Sequence, residues 1–188
     1  MDFFLKLILS GVLFAASASG ELSLTPRIVA IEKEGGSSKH FAFSDGAETV
    51  TYQPPRGWDY SGSATELTLR PPNKAPAKAT ITRIPLLYPE CFDDDSAKKL
   101  VNEAVALLPQ GSEEVSVVSQ EKNLLMIQGK ETFLIVLGYT FYGDRYSRSI
   151  LLLNRGNEQL RFQLTCREAD FKELHRAFFA SHGTWQHL

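Results

Sequence analysis

Glu131-Thr-Phe-Leu-Ile-Val-Leu-Gly-Tyr-Thr-Phe-Tyr142 is followed by Gly143-Asp144 and then by Arg145-Tyr-Ser-Arg-Ser-Ile-Leu-Leu-Leu-Asn154. After Arg155-Gly156-Asn157 comes a third run, Glu158-Gln-Leu-Arg-Phe-Gln-Leu-Thr-Cys166. Each run is rich in β-branched and aromatic residues, and each break sets Gly beside Asp or Asn, the signature of consecutive hairpins. The stretch predicts a three-stranded antiparallel meander. With Gly143-Asp144 as a two-residue turn, Tyr142 pairs with Arg145. Leu137 then faces Ile150 and Ile135 faces Leu152 on one side, while Leu134 faces Leu153 and Val136 faces Leu151 on the other. Both faces are apolar away from the turn, so the sheet needs cover above and below. The third run alternates Leu160, Phe162, Leu164 and Cys166 with Gln159, Arg161, Gln163 and Thr165, so one of its faces is polar.

Two helices supply the expected cover. From about Ser96 to Leu108, the residues Ala97, Leu100, Val101, Ala104 and Leu108 recur at helical spacing. Asp93-Asp94-Asp95-Ser96 provides a cap and negative charge at its start, and Pro109-Gln110-Gly111 stops it. From about Ala169 to His182, the residues Phe171, Leu174, Ala177, Phe178 and Ser181 form a second stripe. Gly183 stands where a left-handed cap is expected. Short strands precede both helices: Leu22 to Lys33, Lys39 to Ser44, Glu48 to Tyr52, Ala64 to Arg70 and Ala77 to Pro85. Val115 to Gln120 follows the first helix. Pro54-Pro55-Arg56-Gly57-Trp58 breaks regularity and presents a tryptophan from a tight loop. The expected fold is α+β, an antiparallel β-sheet covered by helices on both faces, an α/β/α sandwich.

Outside that domain, Lys6 precedes an apolar run from Leu7 to Ala16, and Ala16-Ser17-Ala18 fits the small-x-small pattern of signal peptidase. The run is shorter than a membrane span. Residues 1–18 are expected to be a signal peptide and 19–188 a single exported domain, periplasmic or secreted, of about 170 residues. No later segment is apolar enough to span a bilayer as a helix. With a net charge of −2 and no basic stripe, nucleic acid and anionic membrane surfaces are poor partners. The chain has two cysteines, Cys91 and Cys166, which export gives the chance to pair as a disulfide; two separate thiols are the alternative reading.

The order of elements and three local stretches resemble the superfamily that unites PsbP, an extrinsic subunit of photosystem II, with the yeast nuclear-import factor Mog. The stretches are Val50-Thr-Tyr-Gln-Pro-Pro-Arg-Gly-Trp58, Ser147-Arg-Ser-Ile-Leu-Leu-Leu-Asn154, and the ending from Ala169 to Trp185, which is similar to the closing helix of exported bacterial members. The resemblance covers residues 47–185. It implies the layered fold above and, because known members mostly bind other proteins, a binding or accessory role with a protein partner in the cell envelope. It carries no cofactor and no partner-specific residue.

Three constellations have chemical potential. Ser96-Ala-Lys-Lys99 resembles the Ser-x-x-Lys nucleophile motif of penicillin-binding proteins and serine β-lactamases, in which the lysine accepts the serine proton one turn on. The Lys-Thr-Gly strand motif that accompanies it elsewhere is missing, and a serine near a helix start with two solvated lysines explains the same residues. Glu90, Asp93, Asp94 and Asp95 have the hard oxygen donors calcium takes, without the alternation and glycine of an EF-hand. His175 and His182 lie seven residues apart, too far for the adjacent-turn pair of zinc enzymes, and read as packing residues. Finally, the assumed register pairs Phe141 with Tyr146 and Tyr139 with Arg148. Aromatic and arginine side chains are enriched at protein contacts, so these four form a candidate partner surface. The competing reading is core beneath a helix, with Arg148 reaching for water. The function expected is therefore a non-enzymatic exported binding domain; a serine hydrolase using Ser96 and Lys99, or a calcium-binding module, is the alternative.

Overall fold

The computed structural model describes residues 21–33 and 36–188; the signal peptide expected over residues 1–18 lies outside them. In chain order the strands before the first helix are β1 (Leu22–Lys33), β2 (Gly36–Asp45), β3 (Glu48–Tyr52), β4 (Asp59–Gly62), β5 (Glu66–Arg70) and β6 (Lys78–Pro85). Then come α1 (Asp94–Ala106), β7 (Glu113–Lys122), β8 (Thr132–Phe141), β9 (Asp144–Asn154), β10 (Glu158–Arg167), α2 (Glu168–His182) and β11 (Gln186–His187). The result is an α+β fold that is mostly antiparallel sheet. Among the described residues a seven-stranded sheet runs β4-β5-β6-β10-β9-β8-β7, and a four-stranded sheet runs β1-β2-β3-β11.

The meander forms, with a corrected register. Phe141 pairs with Asp144, Tyr139 with Tyr146 and Leu137 with Arg148, so Tyr142 and Gly143 are the two turn residues. Both have positive φ, 50° and 80°, as a type I′ turn requires. That turn prefers glycine in its second position, which selects Tyr142-Gly143 over Gly143-Asp144. Every expected pair is displaced by two residues. Because side chains alternate with period two, a two-residue slip leaves each on its expected face.

The two apolar faces are covered differently. Phe133, Ile135, Leu137, Ile150 and Leu152 pack with Phe92 and with Leu100 and Ala104 of α1. On the other side Leu134, Val136, Leu151, Leu153 and Phe162 join Leu174 and Phe178 of α2 and Phe43, Val50 and Tyr52 of the small sheet in one cluster. The small sheet thus shares that side with α2. A single sheet between helices is too helix-rich a description, because β1, β2, β3 and β11 form a separate sheet. The two sheets meet closely at Gly62, where a Cβ would stand 2.5 Å from Pro26 Cδ.

Both helix ends differ in detail from expectation. α1 begins at Asp94, and the Asp93 carboxylate caps it by accepting from the Ser96 N–H at 2.8 Å. At its other end Arg148 Nη1 of β9 donates to the Leu107 carbonyl at 2.9 Å, placing a cation at a helix C-terminus that has no basic residue of its own. Gly183 is not left-handed; its φ of −66° is right-handed. The chain instead turns through Thr184, whose hydroxyl donates to the Ser181 carbonyl at 2.6 Å, and buries Trp185 before β11 pairs with β3.

Candidate functional site

The loop between β3 and β4 carries Pro54-Pro55-Arg56-Gly57-Trp58, and two contacts, one from α2 and one from the turn after it, hold it. The Gln53 N–H donates to Thr184 Oγ1 at 2.8 Å, tying the loop to the turn after α2. The Trp58 ring stacks on Phe178, with centroids 6.1 Å apart and planes 13° apart. Prolines fix the backbone on the way in, so a rigid aromatic platform results. Across from it, Tyr60 of β4 packs on Phe41 of β2 at 4.5 Å between centroids.

Between these elements lies an open groove of about 820 Å³. Phe41, Trp58 and Tyr60 line it together with Ile28, and Lys39, Gln53 and Arg56 supply polar groups. Tyr60 is 44% exposed and Ile28 56%, while Lys39 and Arg56 are exposed at the edges. The combination of anchored aromatics and two exposed cations suits an extended or loop segment with apolar and acidic side chains. Trp58 was legible in the sequence as a presented tryptophan. Tyr60 and Ile28 were not, because β4 is a four-residue strand reading Asp-Tyr-Ser-Gly with too few residues for an alternation signal.

The residues singled out in the sequence fall elsewhere. Tyr139 and Arg148 are only 4% and 8% exposed. Tyr139 and Tyr146 stack at 5.7 Å, Arg148 lies 5.9 Å above the Tyr139 ring, and its Nε donates to Thr165 Oγ1 at 3.1 Å. Phe141 makes an edge contact with Tyr146 at 6.4 Å, and both are half-buried. The four are brought together, but Tyr139 and Arg148 are buried packing residues rather than an open surface, and Arg148 reaches the end of α1. Burial raises the Tyr139 hydroxyl above its ordinary value.

Cys91 and Cys166 are free thiols, and the expected disulfide is not formed. Cys91 is exposed and its Sγ lies 3.4 Å from Asp93 Oδ2, next to Phe92 in the α1-side core. Cys166 sits in the core on the opposite side of the sheet, and burial pushes its thiol up to about 12. The sheet itself separates them.

Ser96 and Lys99 share the first turns of α1 without touching. Lys99 Nζ lies 3.6 Å from Glu90 Oε1 and 3.8 Å from Glu103 Oε1. Asp93 is occupied as the cap, and Asp95 faces Lys98 at 3.6 Å. Among the described residues no group of three or more His, Cys, Asp or Glu converges as a metal site would. His175 stacks between Phe171 and Phe179. His182 is wholly enclosed by Phe162, Phe178 and Phe179, and burial lowers its imidazole to about 3. Among the described residues no helix is long and apolar enough to cross a membrane.

No protein-family model matches the chain, and no curated protein matches it in sequence. Among solved structures it is similar to that of PA94, a protein of unknown function from Pseudomonas aeruginosa, with a TM-score of 0.50 and 16% identity over 84% of this chain and 95% of that one. The solution structure of the cyanobacterial PsbP of Synechocystis gives a TM-score of 0.47 and 11% identity over 95% of this chain and 98% of that one. At such identities the likeness to PA94 is one of fold, and it brings no function with it.

Proposed function

We propose that the chain is a non-enzymatic binding or accessory domain, exported after removal of residues 1–18, that engages a protein partner in the cell envelope through the groove beside Trp58. The observation that carries this reading is the groove itself: Trp58 is fixed over Phe178, while Tyr60 and Ile28 stay exposed beside it. Rigid aromatics flanked by an arginine are the residue types that anchor protein contacts. Membership of the wider PsbP/Mog-like superfamily, with its helix, sheet and helix layers, is part of the same proposal. It is supported by the order of elements and by the placement of α1 and α2 on opposite sides of the large sheet.

The test is capture from envelope extracts of the native host, with the domain from Ser19 onward as bait beside a Tyr60→Ser, Arg56→Glu variant. A protein retained by the parent and lost by the variant, at unchanged melting temperature, supports the groove. Equal retention by both sinks it. Labelling by a serine-reactive phosphonate that disappears in Ser96→Ala would establish the hydrolase reading instead, and a melting temperature raised by calcium the calcium-module reading.

A further inference from the structure

On the α1 side of the large sheet only half the surface is covered. The strand register lays out that face in rows. Gln163 of β10 stands between Ile150 of β9 and Thr80 of β6, Arg161 between Leu152 and Thr82, and Thr165 between Arg148 and Lys78. The β9 and β8 ends of the first two rows, Ile150 with Ile135 and Leu152 with Phe133, lie under α1. The β10 and β6 ends carry Thr, Gln and Arg. They form the floor of a cavity of about 520 Å³, closed at one side by Leu107 at the end of α1. This is the polar phase of the third run, Gln159 to Thr165. It lies within the sheet, flanked by β9 and β6, and not at an edge.

The charge in this cavity is unbalanced. Its lining holds three cations, Lys78, Arg148 and Arg161, against one carboxylate, Glu66. Glu66 is already engaged, 3.6 Å from Lys78 Nζ and accepting from Thr68 Oγ1 at 2.9 Å. Arg148 has a carbonyl, a hydroxyl and a ring as partners, but no carboxylate. Arg161 has no hydrogen bond or ion pair among the described residues, and its Nε is shielded from solvent without a partner. Burial lowers both guanidinium groups from their ordinary value; on Arg161 the charge of Glu103 on α1 opposes this, and to a lesser extent the charge of Arg148 adds to it. Arginine does not neutralise by losing its proton in a protein. A half-buried guanidinium without a counter-anion is incompletely solvated, and an anion from solution supplies the missing partner.

We propose that this cavity is a binding site for a small oxyanion-bearing molecule, a phosphate or a carboxylate, held by the free guanidinium of Arg161 with Arg148 beside it and the hydroxyls of Thr80, Thr82 and Thr165 around it. A guanidinium fork matches either oxyanion bidentately, and the volume falls within the range of small-molecule sites, about 300–1,000 Å³. The site shares no residue with the groove at Trp58, so it stands or falls independently of the protein-binding reading.

Isothermal titration of the purified protein with inorganic phosphate, and separately with succinate, each against sodium chloride at matched ionic strength, tests it. Saturable binding of one probe is expected, and the probe that binds tells which oxyanion the site takes. Arg161→Gln is expected to weaken it by roughly ten- to hundredfold, the range for a charge-assisted hydrogen bond. The same variant should melt at or above the parent, since a half-buried charge without a counter-anion has been removed. Arg145→Gln, on an exposed arginine facing Glu168 at 3.3 Å, should bind as the parent does. Arg161→Lys keeps the charge without the fork and provides a second folded variant with weakened binding. The proposal is overturned if neither probe binds above the chloride control, or if the Arg161 variants bind with the parent's affinity.

Discussion

Replacing Phe178 by Ala tests the packing on which the groove rests. The side chain is 1% exposed, lies face to face with Trp58 and meets His182 edge-on at 4.5 Å between centroids. It sits one helical turn beyond Leu174 in the cluster that joins α2 to both sheets. Truncation removes the ring's burial and leaves a cavity that Trp58 and Phe162 cannot collapse into without moving strands, so the loss is expected at about 3–5 kcal/mol. For a domain of this size that corresponds to a fall of about 6–20 °C in melting temperature. Differential scanning calorimetry measures it, with Lys172→Ala, on the exposed side of α2, expected within about 0.5 kcal/mol of the parent. Because Phe178 is the floor under Trp58, tryptophan emission should also shift toward that of an exposed indole. A Phe178→Ala protein that melts with the parent would show that α2 does not seal this face and that Trp58 has no fixed platform.

Three further outcomes follow from particular residues. His182 is held neutral, its folded value of about 3 lying below the ordinary 6.5, so the unfolded chain binds the extra proton. Its contribution is complete above about pH 6.5 and is lost as pH falls toward 3, at about 1.4 kcal/mol per unit; urea midpoints of His182→Phe should fall less than the parent's between pH 6.5 and 5. Tyr142, 93% exposed with φ of 50°, should gain up to about 1 kcal/mol on replacement by Asn, which tolerates that conformation; an unchanged or lower urea midpoint would count against the turn. Under native conditions a maleimide should modify Cys91 rapidly and Cys166 only after denaturation, and intact protein lacking any free thiol would contradict the separation of the two by the sheet.

Much of the framework was legible because it rests on long, strongly periodic segments. The meander, both helices and the strands expected over Lys39 to Ser44 and Glu48 to Tyr52 all appear, and the faces of β8 and β9 are as expected. Pair identities depend on the turn type: Gly143-Asp144 fits a two-residue turn with glycine first, whereas the turn found here has positive φ at both positions and glycine second. The small sheet was hidden for a different reason: β11 is two residues long and its pairing with β3 is a long-range event with no local signature. Arg148 illustrates a third limit. Arginine beside aromatics reads equally as an exposed anchor or as a packed cap, and its bond to Leu107 decides for the cap. The groove was half legible: the proline-flanked Trp58 stands out in sequence, but the residues facing it come from β1, β2 and β4.

Site-specific photocrosslinking in the native host addresses the central claim most directly. A photoreactive amino acid at Tyr60, inside the groove, is compared with one at Tyr142, at the far hairpin tip and outside it. The account predicts one discrete crosslinked envelope protein from position 60, absent from position 142 and lost when Arg56→Glu is added. Crosslinking that is equal at the two positions, or none from position 60 in protein that melts normally, would contradict it.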